Sequence, residues 1–200
     1  AGGTHLDWPA ELRRLPEANV IAPDLPGHGR SPAPGRQSVG ANAADVIALM
    51  QALLPGMMKR GWGRVVNITS QSVKAPIAQL GLSNTARTGL TGFVAGTARQ
   101  VAPRGVTINN LLPGIHATDR AISLDAAVVK ARGITMDEAI AERAATIPTR
   151  RYGTAAEFGA MCAFLCSQHA GFIVGQNILL DGGATVQLDA ARSRRDEAGG

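Results

Sequence analysis

The chain has 200 residues, 45% of them hydrophobic, with a mean hydropathy of +0.04. That length suits one domain able to bury a sizeable core. Its net charge of +5, from 20 Lys and Arg against 15 Asp and Glu, is scattered rather than gathered into a basic stripe. Aromatics make up only 4%, a pattern that argues against nucleic-acid recognition. The longest apolar runs, Val46–Met50 and Ile178–Leu180, fall short of the roughly 20 residues of a membrane span, so no membrane partner is expected. The opening Ala1-Gly2-Gly3-Thr4-His5 lacks an initiator Met and a basic-then-apolar leader, and reads as a cut start.

Glycine and proline divide the chain into alternating strand-like and helix-like pieces. Asn19–Ala22 reads as a short strand entering the turn Pro23–Gly29, followed by a Pro-, Gly- and Ser-rich loop to about Gly40. A helix with apolar positions from Val46 to Met58 comes next. Arg64–Thr69 is a β-branched, nearly continuous strand of the kind buried in parallel sheets. A long helix is predicted over Ser83–Val101, and a strand over Val106–Leu112 that stops at Pro113-Gly114. Two short helices follow, at Asp119–Ala131 and Thr135–Ala145, the second opened by the capping box Thr135-Met136-Asp137-Glu138. A further helix over Thr154–Gln168 and a strand over Gln176–Asp181, closed by Gly182-Gly183, precede a polar tail at 189–200.

This alternation predicts a three-layer α/β domain over residues 1–188, a Rossmann-like parallel sheet with helices on both faces. Ligands in such sheets bind beyond the carboxyl ends of the strands, so the residues after Ala22, Thr69 and Leu112 are the ones to inspect. Cys162 and Cys166, four apart on one predicted helix, read as reduced core thiols in a reducing, cytoplasmic setting. They lack the further ligands that a metal site requires, and no metal is expected.

Five ordered blocks resemble the carboxyl-terminal part of the short-chain dehydrogenase/reductase family. They are Leu54-Pro55-Gly56-Met57 with Gly61–Ser70; Val106-Thr107-Ile108-Asn109 with Leu112-Pro113-Gly114; Ile147-Pro148; Arg151-Tyr152-Gly153-Thr154; and Gly175-Gln176 with Asp181-Gly182-Gly183. The resemblance covers residues 46–188. Residues 1–45 instead resemble an α/β-hydrolase, on Gly2-Gly3, Asp7-Trp8 and Val20–Ser31. The nucleophile elbow Gly-x-Ser-x-Gly that a hydrolase needs occurs nowhere in the chain. The two patterns meet within one helix, around Asp45–Leu54, as a chimera would, and the fold is incomplete relative to either family. The reductase's glycine-rich phosphate turn is missing. Gly27-His28-Gly29-Arg30 opens a Pro-rich loop rather than a helix.

The resemblance implies hydride transfer between NADP or NAD and a small-molecule carbonyl or alcohol, with a proton supplied to the carbonyl oxygen. It places Ser70 at the serine that hydrogen-bonds the substrate oxygen. Thirteen residues on, the Tyr-x-x-x-Lys motif falls at Ser83-Asn84-Thr85-Ala86-Arg87, so Ser83 stands for the tyrosine and Arg87 for the lysine. A serine hydroxyl is a far weaker acid than a phenol of pKa about 10. Arg87 stays protonated and keeps a positive charge for a cofactor ribose. Asn42, 28 residues before Ser70, falls at the family's asparagine. Pro113, Gly114 and Thr118 match the stretch that closes over the nicotinamide carboxamide. His116 reads as a loop histidine, and Asp24 with His28 as a structural turn. The single tyrosine, Tyr152, falls in a structural turn. The resemblance also implies a homo-oligomer, associating through the helix at Ser83–Val101 and the last helix and strand. Two other readings stay open: a binding or oligomerisation module without catalysis, and a hydrolase-like esterase.

Overall fold

A computed structural model of the chain describes residues 39–186. The predicted strand at 19–22, the hydrolase-like turn at 23–31 and the tail at 189–200 lie outside the described residues. Among the described residues, eight regular elements follow one another: α1 (Val39–Lys59), β1 (Gly63–Ile68), α2 (Gly81–Val101), β2 (Val106–Pro113), α3 (Asp119–Arg132), α4 (Met136–Ala145), α5 (Ala155–Cys166) and β3 (Asn177–Leu180). Short 3-10 turns at Gln71–Val73, Ala78–Leu80, Ala102–Arg104 and Gln168–Ala170 join them.

The sheet order is β1-β2-β3 and both pairings are parallel. Gly63 pairs with Val106 through to Ile68 with Leu111, and Asn110 pairs with Asn177 through to Pro113 with Leu180. β2 is central and buried from Val106 to Leu112, which explains its near-unbroken apolar character, since a parallel strand covered on both faces has no solvent side. Alternation along it feeds two cores. Val106 and Ile108 join Met50 and Leu54 of α1 and Leu90, Val94, Ala98 and Val101 of α2. Leu111 joins Cys162 and Leu165 of α5, with Val66, Ile178 and Leu180 packed alongside. The helical spacing of Leu90, Val94, Ala98 and Val101 puts them on one face of α2. Helices thus cover both faces of a parallel sheet, as the alternation predicts.

Three asparagines enter the sheet as a bonded series. Asn67 Nδ2 donates to Asn110 Oδ1 at 3.2 Å, and Asn110 Nδ2 donates to Asn177 Oδ1 at 2.8 Å. These residues are register partners, so one amide ladder crosses all three strands. On the opposite face Asn109 donates to Ile173 O and accepts from Gln176 N–H, tying the approach of β3 to β2.

Element boundaries differ from the sequence expectations in one instructive place. α1 begins at Val39, ahead of the predicted Val46, and continues through Pro55. The turns before Val46 carry Gly40, Ala41 and Asn42, which lack the apolar periodicity that marks a helix start. The Gly40–Lys59 stretch reaches a mean hydropathy of 1.2 and is long and apolar enough to cross a membrane, although no single apolar run shows it. In the fold its Met50 and Leu54 are core residues against α2. The capping box at Thr135 and Glu138 forms as predicted, and a second one, Thr154 with Glu157, opens α5. Cys162 and Cys166 are free thiols on α5, Cys162 buried. Their mutual hydrogen bond pushes the Cys162 thiol up and the Cys166 thiol down.

Candidate functional site

A cleft of about 390 Å³ opens beyond the carboxyl ends of β1 and β2, between Ile68, the Pro113-Gly114 turn and the start of α3. This is where an open parallel sheet places its ligands. Pro113, Gly114 and Thr118, taken from sequence as cofactor contacts, all line it. Gly114 is there for space: a Cβ would come within 2.6 Å of the Asp181 Cα and 2.9 Å of Gln71 Oε1. Its N–H donates to Leu180 O at 2.8 Å, so the β2 end is sewn to the β3 end directly under the cleft. Thr118 is the N-cap of α3, its hydroxyl accepting from Ala121 N–H, and it turns the first turn of that helix toward the cleft.

His116 lines the same cleft, yet its ring is fixed by packing. It meets the Phe158 ring edge-on at 5.3 Å, and a Cβ at Gly153 would lie 2.7 Å from its Nε2. Backbone bonds from Ala117 N–H to Gly153 O and from Gly153 N–H to Ile115 O hold the two segments together. This agrees with the reading of His116 as a loop histidine.

Ser70 follows β1 in extended conformation, and its Oγ accepts from Ser72 N–H at 3.1 Å as the cap of the Gln71–Val73 turn. The cap uses the oxygen as an acceptor and leaves the hydroxyl hydrogen free to donate. Ser83 and Arg87 lie one turn apart on α2, and the Arg87 guanidinium donates to Ser83 Oγ. Burial, and then the nearby Arg120 charge, lower the Arg87 pKa. Asn42 sits on α1, which packs on α2, and its Oδ1 is buried without a hydrogen-bond partner. Ser83 and Arg87 are therefore brought together. Among the described residues, no hydrogen bond joins either of them to Ser70 or Asn42.

One charged constellation was invisible to sequence reasoning. Asp125 of α3 is 1% exposed and accepts from Arg143 of α4 at 2.9 Å and from the hydroxyl of Tyr152 at 2.9 Å. Arg143 also lies over the Tyr152 ring, 5.9 Å from its centroid, and lines the cleft. Burial first, then the hydrogen bond to Asp125, raise the Tyr152 pKa. The available signal was Asp125 placed four residues after Ala121, on the buried face of α3. An acid at such a position calls for a partner. Among the described residues, no group of three or more His, Cys, Asp or Glu could hold a metal ion.

A parallel sheet flanked on both faces by helices, with a cleft at its carboxyl edge, defines a Rossmann-like α/β class. The family model described as Enoyl-(Acyl carrier protein) reductase matches residues 30–185. The chain belongs to the short-chain dehydrogenase/reductase family. It is 38% identical to acetoacetyl-CoA reductase of Cupriavidus necator, over 72% of this chain and 54% of that protein. It is 34% identical to a 3-oxoacyl-[acyl-carrier-protein] reductase of Vibrio cholerae, over 71% of this chain and 54% of that one. Among solved structures, YwfH, an NADPH dependent reductase involved in bacilysin biosynthesis, superposes with a TM-score of 0.65 at 31% identity. That match covers 74% of this chain and 56% of YwfH. The chain thus spans about half the length of the curated relatives it matches. The family match also begins at residue 30, earlier than the boundary at 45 and 46 expected from sequence.

Proposed function

We propose that this chain binds NADP(H) or NAD(H) and a small carbonyl or alcohol, and supports reduction or oxidation between them. The observation that carries the reading is the cleft itself: Pro113, Gly114 and Thr118 meet at the carboxyl edge of the sheet in a chain of this family. The apolar side chains of Ile68 and Ile115 suit one face of a flat nicotinamide ring. The Thr118 hydroxyl and the backbone of the Pro113-Gly114 turn would hold its carboxamide. When bound, the nicotinamide supplies or accepts a hydride at the substrate carbon.

The chain's own groups handle the oxygen. Ser70, its Oγ already accepting from Ser72 N–H, donates its hydroxyl hydrogen to the substrate oxygen as charge develops there. Ser83 occupies the proton-donor position. The Arg87 N–H group on its Oγ favours the ionised form of that hydroxyl, which partly offsets the weakness of a serine as an acid. Arg87 also offers N–H groups to a ribose hydroxyl. Asn42, with its buried Oδ1 unpartnered, holds an acceptor for a proton-relaying water. A homo-oligomer, formed through α2 and through α5 with β3, and a cytoplasmic location in keeping with two free thiols complete the proposal.

A second reading, a binding or assembly module without turnover, is favoured by Tyr152. The only tyrosine in the chain has its hydroxyl committed to Asp125 and does not line the cleft. Titration of NADPH fluorescence against the full chain tests both readings, followed by carbonyl-dependent NADPH oxidation with and without Ser70→Ala. Binding with a turnover that falls in the variant supports the enzyme. Binding alone supports the module, and absence of binding removes the nicotinamide reading.

A further inference from the structure

The wall of the cleft carries more positive charge than its carboxylates offset. Arg120 and Arg143 both line it, and no Asp or Glu does. Arg143 has its counter-charge behind the wall, in Asp125. Arg120 makes no ion pair among the described residues, and its sequence neighbour Asp119 does not line the cleft. Arg87 stands near enough for the Arg120 charge to be felt there. Apart from His116 and Thr118 the remaining walls are apolar, including Ile68, Leu124 and Phe158, so charge in the cleft is screened less than it would be in open water. The first turn of α3, with its partial positive charge, opens on the same side. Two guanidinium groups lining one partly apolar cleft favour an anion within it.

We propose that Arg120 and Arg143 form a subsite for an anionic group, a carboxylate or phosphate carried by the carbonyl substrate. Arg120 supplies the uncompensated charge. Arg143, held in place by Asp125 and Tyr152, supplies a pre-oriented planar donor suited to two oxygens at once. Calling the ligand a substrate rests on the oxidoreductase reading, whereas the anion site rests on the arginines alone.

The test compares acetoacetate with its neutral methyl ester. Binding of each to the full chain is measured by calorimetry for the unmodified protein and for Arg120→Gln, with NADPH fluorescence titrated on the same samples. Arg120 is exposed, so an unchanged melting temperature shows that the variant remains folded. The expected result is a preference for the acid of about tenfold in the unmodified protein, reduced to about twofold or less in Arg120→Gln. Equal affinity for acid and ester, no binding of the acid, or a preference unchanged by the substitution overturns the proposal. A variant that loses NADPH affinity and keeps its acid preference assigns the charge to a cofactor phosphate, and overturns it too. If the unmodified chain prefers the acid but does not bind NADPH, the subsite stands and the oxidoreductase reading fails.

Discussion

The hydroxyl of Tyr152 donates to Oδ2 of Asp125 at 2.9 Å while Arg143 donates to the other carboxylate oxygen at the same distance. This pair joins the turn before α5 to α3, and through Arg143 to α4, so three segments beside the cleft share one buried acid. Asp125→Ala leaves a guanidinium whose side chain is 30% exposed and a phenol with no partner. Breaking a buried pair from one side costs about 3–5 kcal/mol; the partial exposure of Arg143 lowers the expectation to about 3 kcal/mol by urea denaturation. Tyr152→Phe removes one hydrogen bond to a charged acceptor and is expected to cost about 1.5 kcal/mol. The double substitution should cost less than the sum, because both act through the same carboxylate.

The Asn67–Asn110–Asn177 ladder predicts a large penalty for an apolar replacement at its centre. Asn110→Leu leaves the Asn67 amide without its oxygen acceptor and the Asn177 oxygen without its donor. Each buried group left unpaired costs about 1–3 kcal/mol, so a loss of about 2–4 kcal/mol in equilibrium unfolding is expected. A cost below about 1 kcal/mol would show that water reaches the ladder.

Gly114→Ala should disturb the cleft from below. The added Cβ meets the Asp181 Cα, a backbone atom that cannot swing aside. Overpacking of this kind costs about 1–3 kcal/mol. Because the strain falls where β2 and β3 meet beside the proposed nicotinamide position, NADPH fluorescence titration should show weaker binding than the loss of stability alone explains.

Glu157 gives a pH prediction. Hydrogen bonds from Arg151, then from the Thr154 backbone and hydroxyl, hold its carboxyl at about 2, down from 4.5. A carboxylate whose folded pKa is depressed stabilises the fold fully above its unfolded pKa and loses that contribution as pH falls through the folded value. Stability should therefore decline between about pH 4.5 and about pH 2. Glu157→Gln, which keeps an acceptor for the capping box but not the charge, should flatten that decline in thermal melts across the window.

The proposed placement of Ser83 at the family's tyrosine and of Arg87 at its lysine is open to a direct test. Ser83→Tyr with Arg87→Lys is expected to raise NADPH-dependent carbonyl reduction by about 10²-fold or more, within the range of a positioned general acid. An unchanged rate in a folded double variant would show that the proton comes from elsewhere.

What the sequence determined by itself is local. Continuous apolar strands, the long helix over Ser83–Val101 and the Thr135–Glu138 capping box are each written locally, and each forms as expected. Pro113, Gly114 and Thr118, singled out on the resemblance, line one cleft. The start of α1 was misplaced because residues 39–45 carry no apolar period, so neighbouring packing rather than pattern extends the helix. Three features depended on the tertiary structure: the asparagine ladder, the Asp125 clamp, and the gathering of Arg120 and Arg143 on one wall. Asp125 and Tyr152 lie 27 residues apart, and Asn110 and Asn177 lie 67 apart. Neither separation follows a helical or strand period, so such pairs exist only once crossovers and register have brought distant side chains within hydrogen-bond range.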